Sequence, residues 1–228
     1  MANDIAEKVI TVDGPAGSGK STVSRKLAKR LNRVYLDTGA LYRAVALMAK
    51  RSGLKKDDAK KLRKLCSEID LHFDYNADPP KLYLGEENIT EAIRSPEMDL
   101  LSSTISAVRD VRNEMAHLQR RMAEQAPVVA EGRDMGTVVF PEAKNKFFLT
   151  ASVKTRAERR YNERMERGEP VSLAVVENEL KKRDLQDETR TIAPLKPAKD
   201  AIVVDSTHLS PDQVVEEILG HIKATKKS

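Results

Sequence analysis

Short apolar runs alternate along this chain with stretches of helical periodicity. Residues 8–13 (KVITVD) are apolar and β-branched and end in Gly14-Pro15, as a buried strand does where it enters a turn. From Lys20 to Asn32, Val23, Leu27 and Leu31 recur every four residues and predict an amphipathic helix, after which Val34 to Asp37 gives a second strand. Strand, helix and strand in about thirty residues form a βαβ unit, which requires parallel strands and a right-handed crossover. Further strands are predicted at Val128 to Glu131, Lys146 to Thr150 and Ala201 to Asp205, with helical patterns between them. The pattern as a whole predicts an α/β fold, a parallel sheet flanked by helices.

Three segments depart from this rhythm. Between Ile69 and Ile93 the period falls to two: Ile69, Leu71, Phe73 and Tyr75 alternate with polar residues, Pro79 and Pro80 interrupt, and Leu82 and Leu84 resume before Gly85. A small antiparallel insert is expected there. Met98, Leu101, Ile105, Val108, Arg112, Met115 and Met122 trace one helical stripe, and Arg112 stands on it where an apolar residue belongs, so it needs a partner. Val176, Leu180, Arg183, Asp187 and Arg190, at spacings of 4, 3, 4 and 3, also share one face. That stripe turns ionic without changing direction, pointing either into a wet cleft that holds an anion or to a charged helix end in solvent. Another helix has Val153, Ala157, Tyr161 and Met165 as its predicted buried face. Its Arg156, Arg159 and Arg160 either pair with Glu158 and Glu163 or belong to a lid that closes over a nucleotide.

Composition narrows the classes. A chain of 228 residues suffices for one α/β domain with appendages. With 33% charged residues and no apolar run near the roughly 18 that span a bilayer, no membrane association is expected, and a mixed polar amino terminus makes the cytoplasm the default. A formal charge of +5 favours anionic ligands without naming one. The single cysteine, Cys66, excludes an internal disulfide and reads as a small buried apolar residue. Four scattered histidines carry no metal-site spacing. With no Trp and few Phe and Tyr to stack bases, no stable nucleic-acid partner is expected. The basic stretch from Lys50 to Lys64 reads as a solvated helical face or, alternatively, as an RNA-contacting patch.

The strongest local signal is Gly14-Pro15-Ala16-Gly17-Ser18-Gly19-Lys20-Ser21, which matches GxxxxGK[ST] between a buried strand and a helix. Its glycines let backbone N–H groups wrap a phosphate at a helix amino terminus. Lys20 would reach the β and γ phosphates, and the Ser21 hydroxyl would bind Mg²⁺. No NKxD or DxxG accompanies the loop, which disfavours a GTPase, and the length suits a small-molecule kinase. Val128 to Asp134 (VVAEGRD) delivers Glu131, Arg133 and Asp134 at the carboxyl end of a strand, where ligands of open α/β sheets bind. Arg133 there either meets a phosphate or closes a turn by a salt bridge. After the second strand, Thr38 is positioned to cap a helix that carries Arg43 as a further candidate ligand.

GPAGSGKST, DTGALYR, EGRDMGTVVFP and the late KKRDxxDxxRxxAPL stand in the order found in bacterial cytidylate kinases, and the chain resembles that family over nearly its whole length. The resemblance implies an adenylate-kinase-like P-loop fold. Its core would be 6–37, 126–152 and 195–225; its monophosphate-binding region would be 38–125, with the β insert at about 66–96; its helical lid would be about 153–194. It further implies ATP bound by Gly14 to Thr22 with Arg159 from the lid, and an acceptor phosphate held by Arg43, Arg133 and Arg190. Cytosine would be read by Ser103, Arg112 and Asp134, and the ribose by Arg183 and Asp187, with Thr38 where some relatives carry Ser. Lys20, Arg133 and Arg190 are the catalytic candidates. The expected reaction is reversible phosphoryl transfer from ATP, with Mg²⁺, to CMP or dCMP by a monomer. The alternatives are a P-loop kinase for AMP or shikimate, and a P-loop RNA-binding module using residues 50–64 with Lys226 and Lys227.

Overall fold

The computed structural model describes residues 2–225, so Lys226 and Lys227 lie outside the described residues. It divides into two compact units: residues up to Leu36 together with those from Ala126 onward, and Asp37–Gln125. In the first unit, α1 (Ala2–Lys8) leads into β1 (Val9–Asp13), and α2 (Lys20–Arg30) into β2 (Val34–Asp37). The chain re-enters at β6 (Val128–Gly132), passes a π-helical turn (Met135–Val139), and continues through β7 (Asn145–Thr150), α7 (Val153–Glu166), α8 (Leu173–Thr189), β8 (Ile202–Asp205) and α9 (Pro211–Thr225). Among the described residues the five strands make one sheet in the order β2-β6-β1-β7-β8, with β1 parallel to both β6 and β7 and β7 parallel to β8.

Every residue of β1 and β6 is buried, as a strand covered on both faces requires. Ile10, Val12, Val129, Phe147, Leu149 and Val204 pack with Val23 and Leu27 of α2 and with Val214, Ile218 and Ile222 of α9. This core fixes the carboxyl ends of β1, β6, β7 and β8 at one edge, where the phosphate loop follows β1 and Arg133 and Asp134 follow β6.

The second unit comprises α3 (Thr38–Arg51), α4 (Ala59–Glu68), the strands β3 (Leu71–Asp74), β4 (Lys81–Leu84) and β5 (Glu87–Asn88), and α5 (Pro96–Ser106) with α6 (Arg109–Gln125). The three strands are antiparallel, and Leu71 pairs with Leu84 as the alternation required. The single stripe read from Met98 to Met122 is carried by two helices. In α5, hydroxyls compete for backbone: Ser102 Oγ donates to Asp99 O, Thr104 Oγ1 to Leu100 O and Ser106 Oγ to Ser103 O. The helix then tightens into i,i+3 bonds at Ala107 and Val108 and ends.

Two local expectations are corrected. Asp37, not Thr38, caps α3, its carboxylate accepting the Ala40 N–H at 2.8 Å; Thr38 is the first helical residue and is buried. On α7, Met165 is 46% exposed and Arg156 is buried in its stead, because Arg156 has ionic and backbone partners to satisfy it. Cys66 lies buried on α4, as its reading predicted, and burial pushes its thiol up to about 12, with Glu114 adding to the effect. Among the described residues no helix is long and apolar enough to cross a membrane.

Candidate active site

The phosphate loop joins β1 to α2, and its conformation depends on glycine. Gly14 has φ of 149°, and a Cβ on it would fall 2.0 Å from Leu149 O; Gly17 has φ of 76°, and its Cβ would sit 3.0 Å from Arg156 O. Pro15 and Ala16 fill the turn between them, Ser18 and Gly19 lead into α2, and Thr22 follows Ser21 in that helix. Lys20 opens α2 with its ammonium folded back onto the loop, donating to Pro15 O at 2.6 Å. Burial, and then Arg133 and Arg183, drive its pKa well below the ordinary lysine value, against the pull of Glu131 and Asp13. A cation held among cations out of water is a site for an anion. Ser21 follows with an exposed hydroxyl at the helix amino terminus.

The carboxyl end of β6 supplies the next groups. Glu131 is buried and accepts a hydrogen bond from Tyr35 Oη. Asp13, at the end of β1, accepts the N–H groups of Met135 at 2.9 Å and Gly136 at 2.8 Å and so anchors the turn that carries Arg133 and Asp134. It therefore positions that backbone. Burial raises its pKa to about 6, opposed by those two N–H groups and by Lys20, with Asp134 adding to the rise. A carboxyl whose folded pKa exceeds its unfolded one holds extra protons between pH 4 and 6, so stability falls as pH rises through that window, by roughly 3 kcal/mol in all. The Asp13 side-chain carbonyl should titrate by NMR with a midpoint near 6 in the unliganded chain. A midpoint at the ordinary 3.8 would contradict the burial argument.

α8 brings the ionic end of its stripe to this edge. Asp187 is 5% exposed, and its carboxylate lies 3.0 Å from Arg133 Nε and 3.7 Å from Arg190 Nη1. Burial alone would raise its pKa, but Arg133, Arg183 and Arg190 outweigh burial and hold the carboxyl below the usual range. Arg190 caps the helix and donates from Nε to Ala193 O at 2.6 Å. The stripe thus faces an arginine cluster, and the frayed solvent end is excluded. Asp134 is buried at the start of the π-helical turn.

The arginines of α7 do not follow simple pairing along the helix. Arg160 pairs with Glu163 at 2.8 Å, whereas Arg159 donates to Ser206 Oγ at 3.0 Å and Ser206 O at 2.7 Å. Ser206 in turn donates to Ser18 O at 3.0 Å, which ties the end of β8 to the phosphate loop. Arg156 reaches Ala16 O and Asp184. Nothing local in the sequence marks Ser206, and Asp184, although it stands in the KKRDxxDxxRxxAPL motif directly after Arg183, carried no assigned role there.

The second unit holds its own polar cluster. Arg43 lies 3.7 Å from Asp37 and 3.8 Å from Asp99, and its buried Nε has no hydrogen-bond partner among the described residues. The buried Ser103 Oγ is likewise unmet. Arg112, buried on the apolar stripe, donates to Ser106 O at 3.1 Å and lies 5.5 Å from the centre of the Tyr42 ring. The break after α5 and this arginine account for each other, since a terminal carbonyl without a helical donor receives a guanidinium. The 50–64 stretch is laced with acids: Lys50 meets Glu97, Arg51 meets Glu87 and Arg63 meets Glu114, each across exposed surface.

Comparison with known proteins agrees with this geometry. The family model described as cytidylate kinase matches residues 10–224. A cytidylate kinase of Syntrophotalea carbinolica is 49% identical over 92% of this chain and 90% of its own length. One from Citrifermentans bemidjiense is 44% identical over 94% and 92%. Among solved structures, an uncharacterized protein from Eubacterium ventriosum superposes with a TM-score of 0.52 at 14% identity, covering 95% of this chain and 98% of that one, a likeness of fold alone. With a phosphate loop, an arginine cluster at the same sheet edge and family similarity over nearly its whole length, the chain belongs to the cytidylate kinase family.

Proposed function

We propose that the chain transfers the γ-phosphoryl group of ATP reversibly to the 5′-phosphate of CMP or dCMP, giving CDP or dCDP. The observation that carries this reading is the Lys20 ammonium of the phosphate loop, buried on Pro15 O at the edge where Arg190 joins Arg133 on Asp187. A phosphate acceptor is already ionised at neutral pH, so the reaction needs no general base. It needs two polyanions held in line and charge neutralised on the group in transit.

Gly14 to Thr22 and Arg159 take ATP in this reading. Arg43, Arg133 and Arg190 take the acceptor phosphate, with Thr38, at the start of the helix that carries Arg43, as a further acceptor contact. Arg183 and Asp187 take the ribose. Ser103 and Asp134 accept from the cytosine amine while Arg112 donates to the ring. The unmet Arg43 Nε and Ser103 Oγ are consistent with these roles, since each is a polar group still able to meet a ligand. The donor chemistry fits Mg²⁺ as a companion of the nucleotide: Ser21 offers a hard oxygen beside Lys20, and the described residues contain no group of three or more His, Cys, Asp or Glu that could hold a metal alone. Ser21 would hold that ion, which supplies charge neutralisation to the phosphates. Residues 153–194 act as the lid, excluding water once both nucleotides are bound. The enzyme works as a cytoplasmic monomer without a nucleic-acid partner.

An ADP-release assay over CMP, dCMP, UMP, AMP and shikimate tests the reading. CMP and dCMP should react, and UMP should fall by at least about 10²-fold in kcat/KM, since its O4 would face the Asp134 carboxylate, which has no hydrogen to donate. Equal turnover of UMP would overturn the base assignment, and preference for AMP or shikimate would overturn the substrate.

A further inference from the structure

One buried ion pair at this edge has no role in the reading above. Arg156 lies in the first turn of α7 and reaches three elements. Its Nε donates to Ala151 O at 3.0 Å, just past β7; its Nη1 donates to Ala16 O at 3.1 Å, inside the phosphate loop; its Nη2 stands 2.7 Å from Asp184 Oδ2 on α8. The two side chains are only 5% and 13% exposed. Apolar packing follows the same route, with Ala16 and Tyr161 against the buried trio Ala157, Val176 and Leu180 of α7 and α8.

Taking a guanidinium and a carboxylate out of water costs more than an apolar pair of similar volume in the same place would. Packing of α7 on α8 therefore does not require it. What the pair adds is direction: it links the backbone of the phosphate loop to the residue that adjoins Arg183 and precedes Asp187 by one helical turn.

We propose that Arg156 and Asp184 are positioning residues that couple the donor loop to α8, so that filling the loop favours the placement of Arg183, Asp187 and Arg190 that takes the acceptor nucleotide. A shift of Ala16 on phosphate binding moves the Arg156 fork, and Asp184 carries that displacement into the helix. The proposal rests on the function stated above.

The test is calorimetric titration of CMP into the full chain, with and without a non-hydrolysable ATP analogue and Mg²⁺, for the native protein, Arg156→Lys and Asp184→Asn. Lysine keeps the charge but gathers its donors on one nitrogen, where Arg156 meets its three acceptors from three, and asparagine keeps the shape but not the charge. In the native chain the analogue should tighten CMP by a factor within the roughly 5- to 150-fold range of such couplings, and CMP should tighten the analogue equally. In both variants the factor should fall below about twofold, with CMP affinity measured alone changed by less than about threefold and kcat lowered about tenfold. A purely structural pair would lower melting temperature and leave the factor intact. Native-like synergy in either folded variant, or none in the native chain, overturns the coupling while CMP turnover leaves the function standing. A native chain that does not phosphorylate CMP overturns both.

Discussion

Lys20→Ala lowers kcat by about 10³-fold or more and leaves the chain folded. The ammonium is buried on Pro15 O and crowded by Arg133 and Arg183, which depress its pKa, so the unliganded fold gains little from it. Removing it relieves that crowding, and the melting temperature should hold or rise. The charge becomes favourable only when a polyphosphate enters the loop, and most of all when negative charge spreads over the group in transit. That is the interaction an alanine cannot supply, and it appears in kcat more than in KM. Steady-state assays at saturating ATP and CMP, with circular dichroism on the same preparation, decide the matter. Near-native turnover by a folded Lys20→Ala chain would remove the phosphate loop from the chemistry.

Arg133→Ala is expected to cost about 10³-fold in kcat as well, again without loss of the fold. Its ion pair with Asp187 stands at 3.0 Å, and truncating one partner of a buried pair normally strands the other. Here Arg183 and Arg190 also act on Asp187 and hold its pKa down, so the carboxylate keeps compensation. The lost quantity is a planar fork at the carboxyl end of β6, in reach of whatever phosphate Lys20 engages. Arg133→Lys should recover little, because an ammonium cannot present two parallel donors to a phosphate. Activity within tenfold of native in Arg133→Ala would show that this guanidinium serves Asp187 alone.

The parallel sheet follows from patterning that a reader of the residues alone can see, since Val9, Ile10 and Val12, and Val128 to Ala130, form short apolar runs that end at Gly14 and Gly132, whereas the strand order β2-β6-β1-β7-β8 does not. The phosphate loop was legible for a stronger reason: its glycines carry conformations that other residues resist, and the motif names the lysine and the hydroxyl together. The ionic end of α8 was legible because helical period survives a change in polarity. What escaped the sequence is mostly backbone satisfaction. The part of Asp13 in holding Met135 and Gly136, the donation of Arg112 to Ser106 O, and the chain from Arg159 through Ser206 to Ser18 all connect a side chain to a main-chain group far off in sequence or past a helix break. No side-chain pattern records where such groups come to lie. The end of α5 was hidden in the same way, because serine hydroxyls draw the helix to a close while the apolar stripe runs on through it.

The central place of β1 has a consequence for how the protein is born. Val9 finds its partner at Val128 and Ile10 at Asn145, so the earliest strand leaves the ribosome long before either neighbour exists. At about 5–20 residues per second, roughly ten seconds of translation separate the strand from its first bond, and through that interval Val9, Ile10 and Val12 wait without a sheet. Nascent chains of this topology need shelter from chaperones more than their modest size suggests, and a slow codon stretch before β6 would lengthen the exposure.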